Sequence, residues 1–340
     1  MKILIIQQKR IGDVLTSSIL ANNLKQKYPN AQIDYMCYAN CVDVLKNNPN
    51  IDNIIVLEEK VRKNYLSLIA FIFKIRNTKY NAVIDAYSKL ETNLITLFSG
   101  AKYKISYKKG YSNLFYNYNI DRLKNGTKSD IGLAIINRLR LLKPLIKEEI
   151  TDYKPKVFLT DSEIESAKKL LESFPLKSDK PTFMIGILGS EWYKTYPFEK
   201  MAELLDFTVQ TTDANLLFNY IPKQKEDAQK IFDLYANDLR SFLGLLSQCD
   251  ALIGNEGGSV NIAKALFIPT FSLFSPSVDK ETWQIFEDEK NISIHLKDLK
   301  PEIYAEFDEK YIKEHTFEYF EAYPIAVIKE KLKAFFEIIR

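Results

Sequence analysis

Histidine is nearly missing from this chain: His295 and His315 are the only two in 340 residues. That supply argues against a histidine-centred triad or a His-rich metal site, and leaves acid–base chemistry to carboxylates. Cysteine is scarce as well. Cys37, Cys41 and Cys249 show no paired spacing of the metal-site kind, so a reduced, cytoplasmic protein is the simple reading. No apolar run approaches the ~18 residues a membrane-spanning helix needs. The N-terminal apolar run is too short for a signal peptide and leads straight into a strand–helix unit. Neither charge sign dominates: 47 basic against 44 acidic residues give a net charge of +3. That balance does not predict a nucleic-acid binder. Neither a G-x-G-x-x-G fingerprint nor a Walker A loop occurs, which argues against a kinase or NTP hydrolase. What remains is ordinary globular composition, 46% apolar and 27% charged, in a chain long enough for two cores.

The first seventeen residues carry the most information. Ile3, Leu4, Ile5 and Ile6 form an apolar strand, Gln7 to Ile11 a turn, and Gly12-Asp13 opens a helix. Val14, Leu15, Ile19, Leu20 and Leu24 fall on one face of that helix, predicted over Asp13–Tyr28. Asp13 thus sits at the carboxyl end of the first strand, the edge where α/β sheets bind ligands. A carboxylate there also serves simply as a first-turn acid against the helix dipole.

Two successive α/β halves follow. In the first, strands at Lys2–Gln7, Gln32–Cys37, Asn53–Leu57, Ala82–Asp85 and Lys104–Tyr107 alternate with helices, including Lys60–Arg76, Thr92–Phe98 and Ser129–Leu142. Ile146–Pro155 reads as a linker. In the second, a capped helix Asp161–Phe174 precedes strands at Thr182–Leu188, Asn215–Tyr220, Ala251–Gly254 and Thr270–Phe274. Helices near Phe198–Val209, Lys223–Tyr235 and Ser259–Phe267 separate them, and Ile325–Arg340 is a strongly periodic last helix. The expected architecture is two Rossmann-like doubly wound parallel-sheet domains facing a cleft, residues 1–150 and 151–340.

Three constellations fall at carboxyl ends of these strands. Arg10-Ile11-Gly12-Asp13 is the first: Gly12 allows close backbone approach, and Asp13 can take a proton from an attacking hydroxyl. In Gly189-Ser190-Glu191-Trp192-Tyr193-Lys194, Ser190 and Lys194 can hold a phosphate, although an ordinary loop with a solvated lysine looks the same. In Gly254-Asn255-Glu256-Gly257-Gly258-Ser259, glycines before a helix N-terminus make an anion cradle. Together they suggest a diphosphate site.

These residues resemble the family 9 glycosyltransferases, the lipopolysaccharide heptosyltransferases, along nearly the whole chain. The opening Arg10-x-Gly12-Asp13-Val14-Leu15-x-Ser17 is similar to theirs, and Gly189, Ser190, Lys194 and Pro197 match a family Gly-x-Ser…Lys-x-x-Pro element, with Tyr196 where the family usually has Trp. A third segment matches at Asp250, Gly254, Asn255, Gly258, Ala263 and Ala265, followed by Pro269-Thr270 and Phe274-Ser275-Pro276. Glu256 and Gly257 stand where the family has Asp then Ser or Thr, and Asn261 where it has His. The family's ribose-holding acid should fall near Pro222–Glu226, where this chain has Lys223, Gln224 and Lys225.

The resemblance implies a GT-B fold: an N-terminal acceptor-binding domain and a C-terminal nucleotide-sugar-binding domain. It implies an inverting, ADP-heptose-dependent enzyme that moves a heptose-like sugar to a lipopolysaccharide or lipooligosaccharide core or related glycolipid. Asp13 would be the general base. Ser190, Lys194, Glu256, Gly257, Gly258 and Asn261 would hold the donor, and Arg10, Gly12, Lys108 and Lys109 would line the acceptor side. No cofactor or metal is expected, because Lys194 and a helix terminus replace Mg²⁺ at the leaving diphosphate. The alternative is a non-catalytic GT-B protein that binds nucleotide or glycan through a decayed donor motif.

The stretch Ala101–Lys128 holds seven basic residues, Lys102, Lys104, Lys108, Lys109, Arg122, Lys124 and Lys128, among six aromatics, with Asp121 its one acid. It suits peripheral docking of a cytoplasmic monomer on the inner membrane face. A solvated loop with core tyrosines has the same composition.

Overall fold

The computed structural model describes residues 1–124, 130–218, 238–306 and 309–340. Lys128, the helix expected at Lys223–Tyr235 and the positions near Pro222–Glu226 lie outside the described residues. The chain forms two compact units, Met1–Phe158 and Leu159–Arg340, dividing just past the stretch read as linker.

Among its described residues the first unit is built on six parallel strands: β1 (Lys2–Ile6), β2 (Gln32–Cys37), β3 (Asn53–Val56), β4 (Ala82–Asp85), β5 (Tyr103–Tyr107) and β6 (Tyr118–Ile120), in the order β3-β2-β1-β4-β5-β6. Sheet order reverses between β1 and β4, so a crevice opens where their carboxyl ends diverge. Ile3, Leu4, Ile5 and Ile6 are all fully buried, as a strand covered by helices on both faces requires.

Two expected helices are each broken in two. The first runs Ile11–Ser17 and resumes at Ile19–Lys27. At the join the Ser18 hydroxyl donates back to the Leu15 carbonyl at 2.7 Å, a local bond that competes with the helical ladder. The helix expected at Lys60–Arg76 is interrupted at Asn64, whose side chain accepts from the Ser67 amide and caps a new helix, Tyr65–Asn77. All five apolar positions expected on the buried face of the first helix are buried. Strand β6, only three residues long, carried no periodic signal.

The second unit has five parallel strands among the described residues: β7 (Thr182–Gly186), β8 (Asn215–Phe218), β9 (Ala251–Asn255), β10 (Thr270–Leu273) and β11 (Asn291–Ile294), ordered β11-β10-β9-β7-β8. Order reverses here between β7 and β9. The entering helix Asp161–Glu172 starts with a reciprocal capping box between Thr160 and Glu163. The last helix, Ile325–Ile339, buries Ile328, Leu332, Phe335 and Phe336 in this unit's core, with Phe336 stacked on Phe183 of β7 at 5.5 Å. Strand β11 and the helix Leu239–Leu246 were not foreseen. None of the described helices is long and apolar enough to cross a membrane.

Candidate active site

In the first unit, the chain leaves β1 through a strained turn. Arg10 takes φ 65° and ψ 124°, a left-handed conformation that side chains avoid, and its carbonyl accepts from the Val14 amide at 3.1 Å. Arg10 itself is exposed; Gly12 and Asp13 occupy the first helical turn, half-buried. The helix start that was read from the sequence therefore does place a carboxylate beside the crevice.

Asp13 is gripped by a residue the sequence reading missed. Arg138, 8% exposed on the helix Leu133–Arg140, donates Nη2–H to Asp13 Oδ1 at 2.7 Å. Its Nε–H reaches Ser17 Oγ at 2.8 Å, and its Nη1–H the Ala134 carbonyl at 2.8 Å. Every guanidinium nitrogen is thus engaged, and Asp13 is oriented by a fork that cannot rotate freely. One signal was available: Ala134, Arg138 and Leu141 share one helix face, so an arginine stands in an apolar row. Tyr107, at the end of β5, adjoins the pair. Burial pushes its phenol up, while Arg138 and Arg122 oppose and Asp13 adds to the shift.

Asp85, which ends β4 in register with Ile6, was also missed; it is fully buried. Its Oδ1 accepts from the Tyr87 and Ser88 amides at 3.0 and 2.7 Å, and its Oδ2 lies 2.7 Å from the Tyr116 hydroxyl. That hydroxyl also lies 2.6 Å from Asn93 Oδ1. One hydroxyl proton cannot serve both oxygens. Turning the Asn93 amide so that its Nδ2–H faces Tyr116, or a proton on Asp85, satisfies both contacts. Burial pushes the Asp85 carboxyl up, against the hydrogen bonds that Ser88 and Tyr116 donate to its charged form. Asp85 thus ties the β4 exit to the Tyr116 segment.

Lys108 and Lys109 part company. Lys108 is exposed, with Nζ 3.3 Å from Asp121 Oδ1. Lys109 turns inward and donates to the Ser88 carbonyl at 2.8 Å; burial, then Arg122 and Lys89, push its ammonium down. Tyr107 and Tyr116 are buried, Tyr103 and Tyr118 stack on each other at 5.4 Å, and Arg122 covers the Tyr107 ring at 3.8 Å. Much of the basic–aromatic stretch is therefore packed internally. Nearby, Lys9, Arg62 and Lys89 line an open crevice with Tyr38, the Arg62 guanidinium lying 4.2 Å over the Tyr38 ring.

In the second unit, the equivalent edge is set by close backbone packing. Gly186 of β7 and Gly254 of β9 face each other in register, and a Cβ at Gly254 would lie under 3.0 Å from the Gly186 backbone. The next residue, Asn255, is 3% exposed and donates to the carbonyls of Gly186 and Ile187 at 3.2 and 2.9 Å. Its Oδ1 accepts from the Tyr196 amide at 2.8 Å. Ser275 Oγ holds the Tyr193 carbonyl at 2.6 Å, and Thr195 Oγ1 accepts from the Gly189 amide at 3.1 Å. Gly189 has no room for a side chain against the Lys194 backbone. Tyr196, in the place of the family's Trp, is fully buried edge-on against Phe320 and Tyr323.

This scaffold carries Lys194 over Glu256. Lys194 Nζ donates to Glu256 Oε1 at 2.6 Å, with side chains only 13% and 8% exposed. Gly257, at φ 153°, then opens the helix Gly258–Ala265. Ser190 is exposed, while Gly257, Gly258 and Asn261 are half-buried around the helix start. The first-turn amides have no intrahelical acceptors and offer donors and positive potential to an anion. Sequence reading named both members of the ion pair but not their pairing. Among the described residues, no group of three or more His, Cys, Asp or Glu is placed to hold a metal ion.

Residues 68–311 match the family model described as glycosyltransferase family 9 (heptosyltransferase). The chain is 27% identical over 296 residues to lipopolysaccharide heptosyltransferase 1 of Campylobacter coli, covering 81% of this chain and 84% of that protein. Its fold is similar to the family 9 glycosyl transferase of Veillonella parvula, with TM-score 0.73 at 16% identity over 95% of this chain and 97% of that one. It is also similar to the E. coli ADP-heptose lps heptosyltransferase II, with TM-score 0.66 at 18% identity, covering 95% and 99% of the two chains. Two parallel-sheet α/β units of this kind are the GT-B fold.

Proposed function

This chain belongs to glycosyltransferase family 9, and from that premise we propose that it transfers a heptose from ADP-heptose to the core of a lipopolysaccharide-type glycolipid, with inversion. The observation that carries the proposal is Asp13, fixed by Arg138 at the switch point of the first sheet. In the reaction, the acceptor hydroxyl oxygen attacks the anomeric carbon. The bond from that carbon to the diphosphate oxygen breaks, ADP departs with the electron pair, and Asp13 takes the hydroxyl proton. The first unit binds the acceptor, whose anionic groups meet Lys9, Arg62 and Lys89.

The second unit binds the donor. Lys194 and the first-turn amides of Gly258–Ala265 meet the leaving diphosphate, and charge developing there is neutralised by groups already in place. Ser190 adds a hydroxyl. Glu256, held by Lys194, accepts from sugar hydroxyls, and the Asn261 amide takes the family histidine's place as a neutral hydrogen-bonding group. A binding protein without turnover is disfavoured, because both the base and the phosphate-facing lysine are retained. With Lys194 and a helix terminus supplying positive potential, no metal is required. The enzyme works as a monomer at the inner face of the cytoplasmic membrane.

The test is ADP release from ADP-heptose in the presence of heptose-deficient lipopolysaccharide, with and without excess EDTA. Acceptor-dependent release that survives EDTA supports the reading. No release with any acceptor sinks the function, and release abolished by EDTA and restored by Mg²⁺ sinks the metal-free mechanism.

A further inference from the structure

We propose that the second unit carries a sugar subsite beside its diphosphate site, a cavity that takes one neutral pyranose ring. The cavity, of about 260 Å³, lies beyond the carboxyl ends of β10 and β11, between residues 276–284 and residues 295–304. Sites for drug-sized ligands run to ~300–1,000 Å³, so this one suits a single ring better than a nucleotide or an acyl chain. Ser275 joins it to the site already described, because its hydroxyl donates to the carbonyl of Tyr193, the residue before Lys194.

The charges around the cavity do not call for an ion. Two cations, Lys280 and Lys297, stand against three carboxylates, Asp279, Glu281 and Asp298. Lys280 Nζ donates to Asp298 Oδ2 at 2.6 Å, and Lys297 Nζ lies 3.9 Å from Glu281 Oε1. Asp279 Oδ1 accepts from the Glu281 amide at 3.1 Å. His295 is held neutral: its Nδ1 accepts from the Lys297 amide at 3.0 Å, so its proton sits on Nε2, 3.0 Å from the Val278 carbonyl. Burial pushes that imidazole down to about 4. An anion therefore meets no excess of positive charge, and a cation meets no carboxylate without a partner.

The hydrogen-bonding groups left over are of both kinds, which is what sugar hydroxyls need. The half-buried Gln284 amide has no partner among the described residues and offers donors and an acceptor. Tyr304 gives its hydroxyl proton to the Pro276 carbonyl at 2.7 Å and keeps its lone pairs. Ser277 must donate to Ser275 Oγ at 3.1 Å, because the Ser275 proton goes to Tyr193, and so stays open as an acceptor. The Tyr304 ring, tilted against His295 at 5.5 Å, forms with Pro276, Pro301 and Ile312 an apolar wall for the C–H face of the ring. A transferase handles two such rings, the donor's and the acceptor's, and the inference rests on the proposed function only for where the ring comes from.

The test is hydrogen exchange of the full chain, read on residues 276–284 and 295–304. Methyl mannoside, a neutral pyranose, should slow exchange there, and methyl glucuronide, its anionic counterpart, should not. Gln284→Leu breaks no hydrogen bond and should need at least ~5-fold more mannoside for the same protection, with unchanged thermal midpoint and unchanged affinity for ADP. Protection by ADP-heptose that ADP lacks assigns the ring to the donor, and protection by deacylated, heptose-deficient core oligosaccharide assigns it to the acceptor. Protection by neither overturns the proposal, as does a mannoside that protects other segments only, a glucuronide that protects equally, or a variant that behaves as wild type. No arm measures turnover, so failure of the subsite and failure of the transferase reading give different results.

Discussion

Lys194 Nζ lies 2.6 Å from Glu256 Oε1, and the two meet from loops on either side of the switch point in the second sheet. Both side chains are largely buried, so neither charge is at ease alone. Lys194→Ala leaves Glu256 uncompensated and should cost about 3–5 kcal/mol of stability, besides weakening donor binding. Adding Glu256→Gln should restore most of the stability and none of the binding. Denaturant unfolding of the single and double variants checks this; strictly additive losses would mean the pair is not coupled.

Arg138 acts on the reaction through Asp13 and is a positioning residue. Arg138→Ala should lower kcat by roughly 10-fold or more while leaving KM for the donor nearly unchanged, because the lost interaction holds the base and not the nucleotide. Arg138→Lys should rescue little, since one ammonium cannot reach Asp13, Ser17 and the Ala134 carbonyl together. Full rescue by lysine, or a loss confined to donor KM, would contradict this role.

Asp85 gives the fold a pH dependence of definite sign. Its carboxyl is raised in the folded state, so above the ordinary value of 3.8 the native chain holds a proton that the unfolded chain has released. The stability this group contributes is fully present below 3.8 and is lost as pH rises through the folded value. Asp85→Asn keeps the acceptor for Tyr87 and Ser88, donates to Tyr116 and cannot titrate. Thermal unfolding across pH should therefore show a decline on the alkaline side of that window in the wild type that the variant lacks. Parallel curves for the two proteins would contradict a raised Asp85 carboxyl.

The elements that position the site were legible in sequence because their signals are local. β1 is a run of buried apolar residues, and Asp13 follows it within one turn. Gly189, Lys194 and Glu256 each stand in a recognisable loop between a strand and a helix. Arg138 was hidden because its partner lies 125 positions away, and a single arginine in an apolar row reads as a fringe of the helix. Asp85 was hidden for a similar reason: at the end of a buried strand its neighbours are supplied by Ser88 and Tyr116, which only the fold assembles. The helix breaks at Ser18 and Asn64 depend on side chains bonding their own backbone, which leaves the apolar periodicity intact and so gives no warning. β6 and β11 are too short for a periodic signal.

In the proposed reaction Asp13 takes the acceptor's proton. The most direct measurement is the single-turnover rate of heptose transfer by Asp13→Asn beside its affinity for ADP-heptose. The substitution keeps size and the possibility of hydrogen bonding but removes the base. The rate should fall by about 10²-fold or more, with donor affinity within a factor of about two of the wild type. Wild-type turnover in Asp13→Asn would contradict it.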